Sequence, residues 1–207
     1  SDVCSSDLIC WTHEADSMII TNDQGNVDRP NNYILTRESG FKTITELTKG
    51  QNCNGADTHP INGELYFNSY NAGQVFRYDF NTKETIPLFT IQDSGWEFHI
   101  QFHPSGDYAY IVVVNKHYIL RSDYDWKTKR LTTPYIICGS QGDAAWVDGV
   151  GKKARMNRPR QGTFVKNPAY EGSNDEYDFY FCDRENHCIR ILTPQGRVTT
   201  FAGRGRD

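Results

Sequence analysis

The side chains best suited to chemistry gather late in the chain. Trp146, Lys152, Lys153, Arg155 and Arg158 fall within 13 residues, and Arg160 follows. Cations around an indole make a basic patch with an aromatic platform, able to hold an anionic glycan, a phosphate or an acidic peptide. The plainer reading has Trp146 and Ala154 packing between structural repeats while the lysines and arginines face water. A second group of ligand-binding candidates is Asp183, Arg184, Asn186 and His187, of which Asp183, Asn186 and His187 carry the side chains of a metal site or an acid–base pair. Asp and Asn are equally the residues that bond their own backbone in turns, and that structural reading is the stronger one. His59, His99, His103 and His117 are scattered. The sequence contains no HExxH pair, no Gly-x-Ser-x-Gly elbow and no phosphate loop, which counts against the common hydrolase and nucleotide chemistries. No catalytic residue and no metal ligand is assigned.

Cysteine usage adds one question. Cys182 and Cys188 flank a turn and are read as cross-strand neighbours. They can pair as a disulfide if the protein is exported, or sit in the core as small apolar residues. They are not a CxxC pair, so zinc is not indicated.

These residues need elements to hold them. Residues 179–203, FYFCDRENHCIRILTPQGRVTTFAG, read as three short strands joined by two tight turns. Thr193-Pro194-Gln195-Gly196 has Pro second and Gly fourth, as a type I turn prefers. Such a meander exposes two faces and two edges and needs a fourth strand and neighbouring copies. The chain supplies them. Pro60 and Pro104, Tyr66 and Tyr110, Asn71 and Asn115, and Arg77 and Arg121 are each 44 residues apart. The last unit is displaced by about 70, through inserts at 139–158 and 168–178. A period of 40 to 50 residues with four strands per unit predicts an all-β chain, a β-propeller of four-stranded antiparallel blades. Tyr (12) and Phe (11) dominate the aromatic residues, which suits strands. An immunoglobulin-like sandwich would not repeat at this interval. The blades are expected at 11–48, 53–91, 97–138 and 159–203. Residues 1–8, SDVCSSDL, resemble a non-native remnant, which leaves 9–207 as a partial propeller.

Residues 139–203 closely resemble an NHL repeat. The resemblance rests on Gly142, Asp148-Gly149, Gly151, Ala154, Asn157-Arg158-Pro159, Gly162, the run FYFCDRENHCIRIL and Gly196-Arg197-Val198-Thr199-Thr200-Phe201-Ala202-Gly203. It looks like the NHL-repeat proteins of Bacteroides-type bacteria that often carry an IPT/TIG domain. That resemblance implies a six-bladed, TolB-like ring of which about four blades are present. It also implies an exported protein of the periplasm or cell surface, linked to glycan binding or uptake.

Chain order then predicts a shared face. In a blade with strands a to d from the axis outward, b–c and d–a connections lie on one side. Loop 139–158 is a d–a connection and 183–187 a b–c connection, so they should meet. The expected function is a non-enzymatic module binding a protein or carbohydrate there, with no cofactor. The alternative is a calcium-dependent lactonase-like hydrolase, which needs carboxylates converging from inner strands. Strand 98–102 offers only His99 and Gln101, and 161–166 offers no carboxylate, a poor supply for calcium. Trp96, Tyr124 and Trp126 are further candidates for stacking on a sugar. The net charge of −4 argues against nucleic acid as a partner, and no run of 18 apolar residues exists to span a membrane.

Overall fold

A computed structural model describes residues 9–22, 30–49, 53–69, 72–92, 97–173 and 175–203. Residues 1–8, the turn residues 23–25, Asn71 and Trp96 lie outside them. Among the described residues there is no α-helix, and no helix is long and apolar enough to cross a membrane.

The strands are β1 (Ile9–Trp11), β2 (Ser17–Thr21), β3 (Pro30–Thr36), β4 (Ile44–Lys49), β5 (Ala56–Thr58), β6 (Leu65–Ser69), β7 (Gln74–Asp79), β8 (Glu84–Thr90), β9 (Phe98–Phe102), β10 (Tyr108–Val113), β11 (Tyr118–Asp125), β12 (Arg130–Leu131), β13 (Tyr135–Gly139), β14 (Gly149–Val150), β15 (Pro159–Lys166), β16 (Tyr177–Asp183), β17 (Cys188–Leu192) and β18 (Arg197–Gly203). They form four antiparallel sheets, each a meander of four positions. The first is β1 to β4 and the second β5 to β8. In the third, the outermost position next to β11 is split into β12 and β13. The fourth is β15 to β18, with β14 from the preceding loop added beyond β18.

The first strands of successive sheets stand side by side: β1 against β5, β5 against β9, β9 against β15. Sheets arranged radially around their first strands are the blades of a β-propeller. The hydrophobic periodicity follows from that geometry. A middle blade is covered on both faces, so its second strand is buried throughout. In β10, Tyr108, Tyr110 and Val112 enter the cluster shared with the fourth blade. Ala109, Ile111 and Val113 enter the cluster shared with the second. In β6, Leu65 and Phe67 face the first blade while Tyr66 faces the third. Each Val, Leu, Ile or Phe among them contributes about 1.5–3 kcal/mol when fully buried.

Polar groups join the blades near the axis. Thr58 Oγ1 donates to the Trp11 carbonyl at 2.8 Å, and the Phe102 amide donates to Asp57 Oδ2 at 2.8 Å. Gln101 donates to the Gly162 carbonyl at 2.7 Å and accepts from its amide at 2.9 Å. Asn68 Nδ2 donates to the Phe98 carbonyl at 2.8 Å. These bonds satisfy donors and acceptors on inner strands that would otherwise be orphaned in the interface.

Asp57 has a measurable consequence. Burial pushes its carboxyl up to about 6, against the pull of the Phe102 and Thr58 amides. An acid whose folded value exceeds its unfolded value of 3.8 destabilises the fold when ionised, and the cost disappears as pH falls from 6 to 4. His59, His103 and His117 act oppositely. Burial holds each below 6.5, so stability is lost as pH falls below that value. Asp57→Asn removes a cost of about 3 kcal/mol at most and weakens one hydrogen bond worth about 1 kcal/mol. The variant should be more stable by about 1–2 kcal/mol at pH 8, with the gain vanishing near pH 4. Urea midpoints at both values test this, and equal midpoints at pH 8 would contradict it.

Candidate functional site

Loop 139–158 is built rather than slack. It leaves β13 and lays β14 along β18, where Gly149 pairs with Val198. A short 3₁₀ turn, Gly151–Lys153, follows, with Gly151 at φ 58°. Val147 and Arg155 exchange backbone hydrogen bonds at 3.3 and 2.9 Å, which closes the loop into a small hairpin.

The fully buried Arg190 of β17 fills that hairpin. Its Nη1 donates to Asp183 Oδ2 at 2.7 Å and to the Arg155 carbonyl at 3.2 Å. Its Nη2 donates to the Val147 carbonyl at 3.0 Å and to Asp148 Oδ1 at 2.9 Å. One guanidinium thus ties both arms of the loop to the blade. Arg77, Arg121 and Arg190 each lie on the third strand of a blade, but their partners differ. Arg77 Nη1 reaches across to the Lys129 carbonyl. Arg121 stays within its own blade, pairing with Asp123 and lying over the Tyr108 ring.

The turn Arg184–Asn186 docks on the same loop. Asn186 Nδ2 donates to the Ala145 carbonyl at 2.9 Å, and the Glu185 amide donates to the Asn157 carbonyl at 3.1 Å. The Asn157 amide donates to Asp183 Oδ1 at 2.7 Å. The third blade joins through Arg158, whose amide donates to His117 Nδ1 at 3.0 Å and whose guanidinium donates to Asn115 Oδ1. Loops 139–158, 183–187 and 115–117 therefore meet on one side of the blades.

The nine candidate side chains divide in two. Asp183 and Asn186 are buried and bonded to each other at 2.8 Å, so they brace the turn instead of facing solvent. Burial raises the Asp183 carboxyl, opposed by Asn186, the Asn157 amide and Arg190. Arg155 is spent on Asp143 and the Lys152 and Ala154 carbonyls, and Arg158 on Asn115. Trp146, Lys152, Lys153, Arg184 and His187 are exposed. Trp146 is 43% exposed, and its Nε1 is held by Thr200 Oγ1 at 3.0 Å. Arg184 and His187 line a groove of about 300 Å³ with Cys182, Ile189 and Ala202. Trp146 and the two lysines are not part of its wall.

Two expectations are corrected. Cys182 is opposite Ile189 and Cys188 opposite Asp183, so adjacent strands send the two thiols to opposite faces. Cys182 is exposed, Cys188 is buried, and no disulfide joins them. Tyr124 is buried too, its hydroxyl taken by Asn62 and Glu64. It offers no stacking face, whereas Trp126 is 45% exposed.

The inner strands hold carboxylates that the sequence pattern hid. Asp57 lies on β5, a three-residue strand with no apolar alternation. Glu97 precedes β9, accepting from His99 Nε2 at 3.1 Å and pairing with Arg160. Burial raises the Glu97 carboxyl, but His99 and Arg160 win and hold it low. Among the described residues no three His, Cys, Asp or Glu side chains group as a metal site.

Fold and site together define a β-propeller with a braced loop cluster on one side. No protein-family model and no curated protein matches the chain. Solved structures do. An auxiliary nutrient binding protein of Bacteroides thetaiotaomicron is 90% identical, with a TM-score of 0.91 over 95% of this chain and 47% of that one. One from Bacteroides ovatus is 43% identical, with a TM-score of 0.90 over 95% and 47%. A B. thetaiotaomicron protein described as a candidate phosphatase is 43% identical, with a TM-score of 0.88 over 96% and 49%. The chain spans about half the length of each.

Proposed function

We propose that this chain is part of a non-enzymatic ligand-binding propeller of an exported bacterial protein, an NHL-type ring of six blades. The ligand sits on the side carrying loops 139–158 and 183–187. The observation that supports this most is the bracing itself. Buried Arg190, Asp183 and Asn186 fix the two loops, while Trp146, Lys152, Lys153, Arg184 and His187 stay exposed around them. A rigid frame under exposed cations and an indole lowers the ordering cost of binding. The nutrient-binding names of two solved relatives agree with a binding role. The groups on offer suit an acidic glycan.

Calorimetry with a sulfated oligosaccharide and with a neutral one of equal length tests the proposal. The sulfated ligand should bind. Lys152→Glu with Lys153→Glu should cost about 2 kcal/mol, some thirtyfold in affinity, and Trp146→Ala about tenfold. Added salt should weaken binding. Binding that ignores all three substitutions would place the ligand elsewhere.

A further inference from the structure

A second concave site lies on the other side of the molecule, away from loop 139–158. It holds about 440 Å³ between the second and third blades, within the range of small-molecule sites. Its walls are turns of the a–b and c–d type: Asn62 and Glu64 from one, Asp79, Phe80 and Asn81 from another, and Lys129 from the third blade.

The aromatic side chain is deliberately presented. Asp79 Oδ1 accepts from the amides of Asn81 at 2.8 Å and Thr82 at 3.2 Å, and Lys83 closes the turn at φ 61°. That local bonding leaves Phe80 37% exposed, with one edge against Tyr78. The device recurs 46 residues on. Asp125 Oδ1 accepts from the Lys127 and Thr128 amides, Lys129 sits at φ 52°, and the side chain put forward is Trp126. YDFNTK and YDWKTK are thus the same turn used twice, each displaying a ring.

The polar walls are also fixed. The Tyr124 hydroxyl accepts from Asn62 Nδ2 at 2.8 Å and donates to Glu64 at 3.0 Å. Arg77 bridges Asp79 Oδ2 at 3.2 Å and the Lys129 carbonyl at 3.2 Å. Its Nε is buried and finds no partner in the protein, a donor left over at the cavity wall.

We infer that this cavity binds a neutral pyranose, with the sugar's C–H face on Phe80 and its hydroxyls on Asn62, Glu64, Asp79 and Asn81. Two carboxylates and two cations cancel there, so an anion gains no net attraction. The polar walls disfavour a lipid tail. Planar amide and carboxylate groups offer the paired donors and acceptors that vicinal hydroxyls need, and an aromatic face carries the negative potential that attracts C–H groups. The site is independent of the proposal for the opposite side.

Saturation-transfer NMR and calorimetry with the methyl α-pyranosides of glucose, galactose and mannose test it. At least one should bind. Phe80→Ala should lower affinity about tenfold or more, and Phe80→Trp, the ring its sister turn uses, should keep it. Trp146→Ala should leave pyranoside binding unchanged, which separates this site from the other. The inference is overturned if none of the three sugars binds, if Phe80→Ala binds as the parent does, or if inorganic phosphate binds where the sugars do not.

Discussion

Arg190→Met should cost about 3–5 kcal/mol of stability, the scale set by stripping the partner from a buried charge. Arg190 and Asp183 are both fully buried and 2.7 Å apart. Removing the guanidinium leaves the Asp183 carboxylate with only the Asn157 amide and Asn186 Nδ2 to solvate it. The Val147 and Arg155 carbonyls lose their second donor at the same time and keep only each other's amides. Loop 139–158 should then open before the blades do, so hydrogen exchange should quicken at Val147 and Arg155 while β6 and β7 stay protected.

The loss should depend on pH in a determinate direction. Burial already raises the Asp183 carboxyl in the parent, and loss of Arg190 raises it further. A folded value above the unfolded 3.8 means the variant is weakest at neutral pH and recovers as acid protonates Asp183. The double variant Arg190→Met, Asp183→Asn should regain a large part of the loss at pH 7, because the uncompensated charge is gone. Arg190→Lys should fall between, since an ammonium keeps the charge but not the four-way fork. A single variant within about 1 kcal/mol of the parent, or a double variant no better than the single, would show that the pair is not what holds the loop.

Much of the fold was legible because apolar strands and turn residues repeat at 44 residues. The inner strands β1 and β5 were not. Each has three residues, and Asp57 and Thr58 are polar. In β5 these side chains bond across blades instead of burying apolar surface, so neither alternation nor an apolar run marks it, while β1, Ile9-Cys10-Trp11, is apolar but too short to stand out. Phe41 to Leu47 reads as a third strand by alternation, but the strand begins at Ile44 and is the fourth of its sheet. Phe41 sits in the preceding turn at φ 59°, against Trp11.

For the site, chain order sufficed to place two distant loops together, because blade topology alone decides which connections share a side. It did not reveal which cations were free to act. Arg155, Arg158 and Lys152 look alike in sequence. Only the fold shows that two of them have partners in Asp143 and Asn115. Nor could it show that one repeat position, held by Arg77, Arg121 and Arg190, meets three different surroundings. The cavity beside Phe80 is not legible in the sequence because its turns serve visibly as turns. Its signal, the doubled YDxxTK motif, lies within a repeat already explained by structure.

Gly162→Ala is the second large effect, and it tests how the third and fourth blades are joined. Gly162 lies in β15 beside a bulge in its pairing with β16. A Cβ there would stand 2.0 Å from the Tyr180 carbonyl oxygen and 2.9 Å from Phe179 Cζ. The nearest atom is backbone in the centre of the blade, so no rotamer can relieve the contact. β15 must move, and the movement breaks both hydrogen bonds between Gly162 and Gln101. Overpacking of this kind costs about 1–3 kcal/mol or more, and each broken buried bond adds about 1 kcal/mol. Gln101→Ala removes the same two bonds without the clash and serves as the reference. Gly172→Ala is the control for introducing a methyl group. Its φ of 84° carries backbone strain, but nothing lies within 4 Å of the new Cβ. Urea unfolding should rank Gly162→Ala below Gln101→Ala, and both below Gly172→Ala. β15 follows directly from Arg158, so its displacement should also carry the end of loop 139–158 with it and weaken the sulfated ligand. If Gly162→Ala unfolds at the same urea concentration as Gln101→Ala, loss of the two hydrogen bonds to Gln101 accounts for the whole effect, and the glycine is there for them rather than for the close approach of β15 to β16.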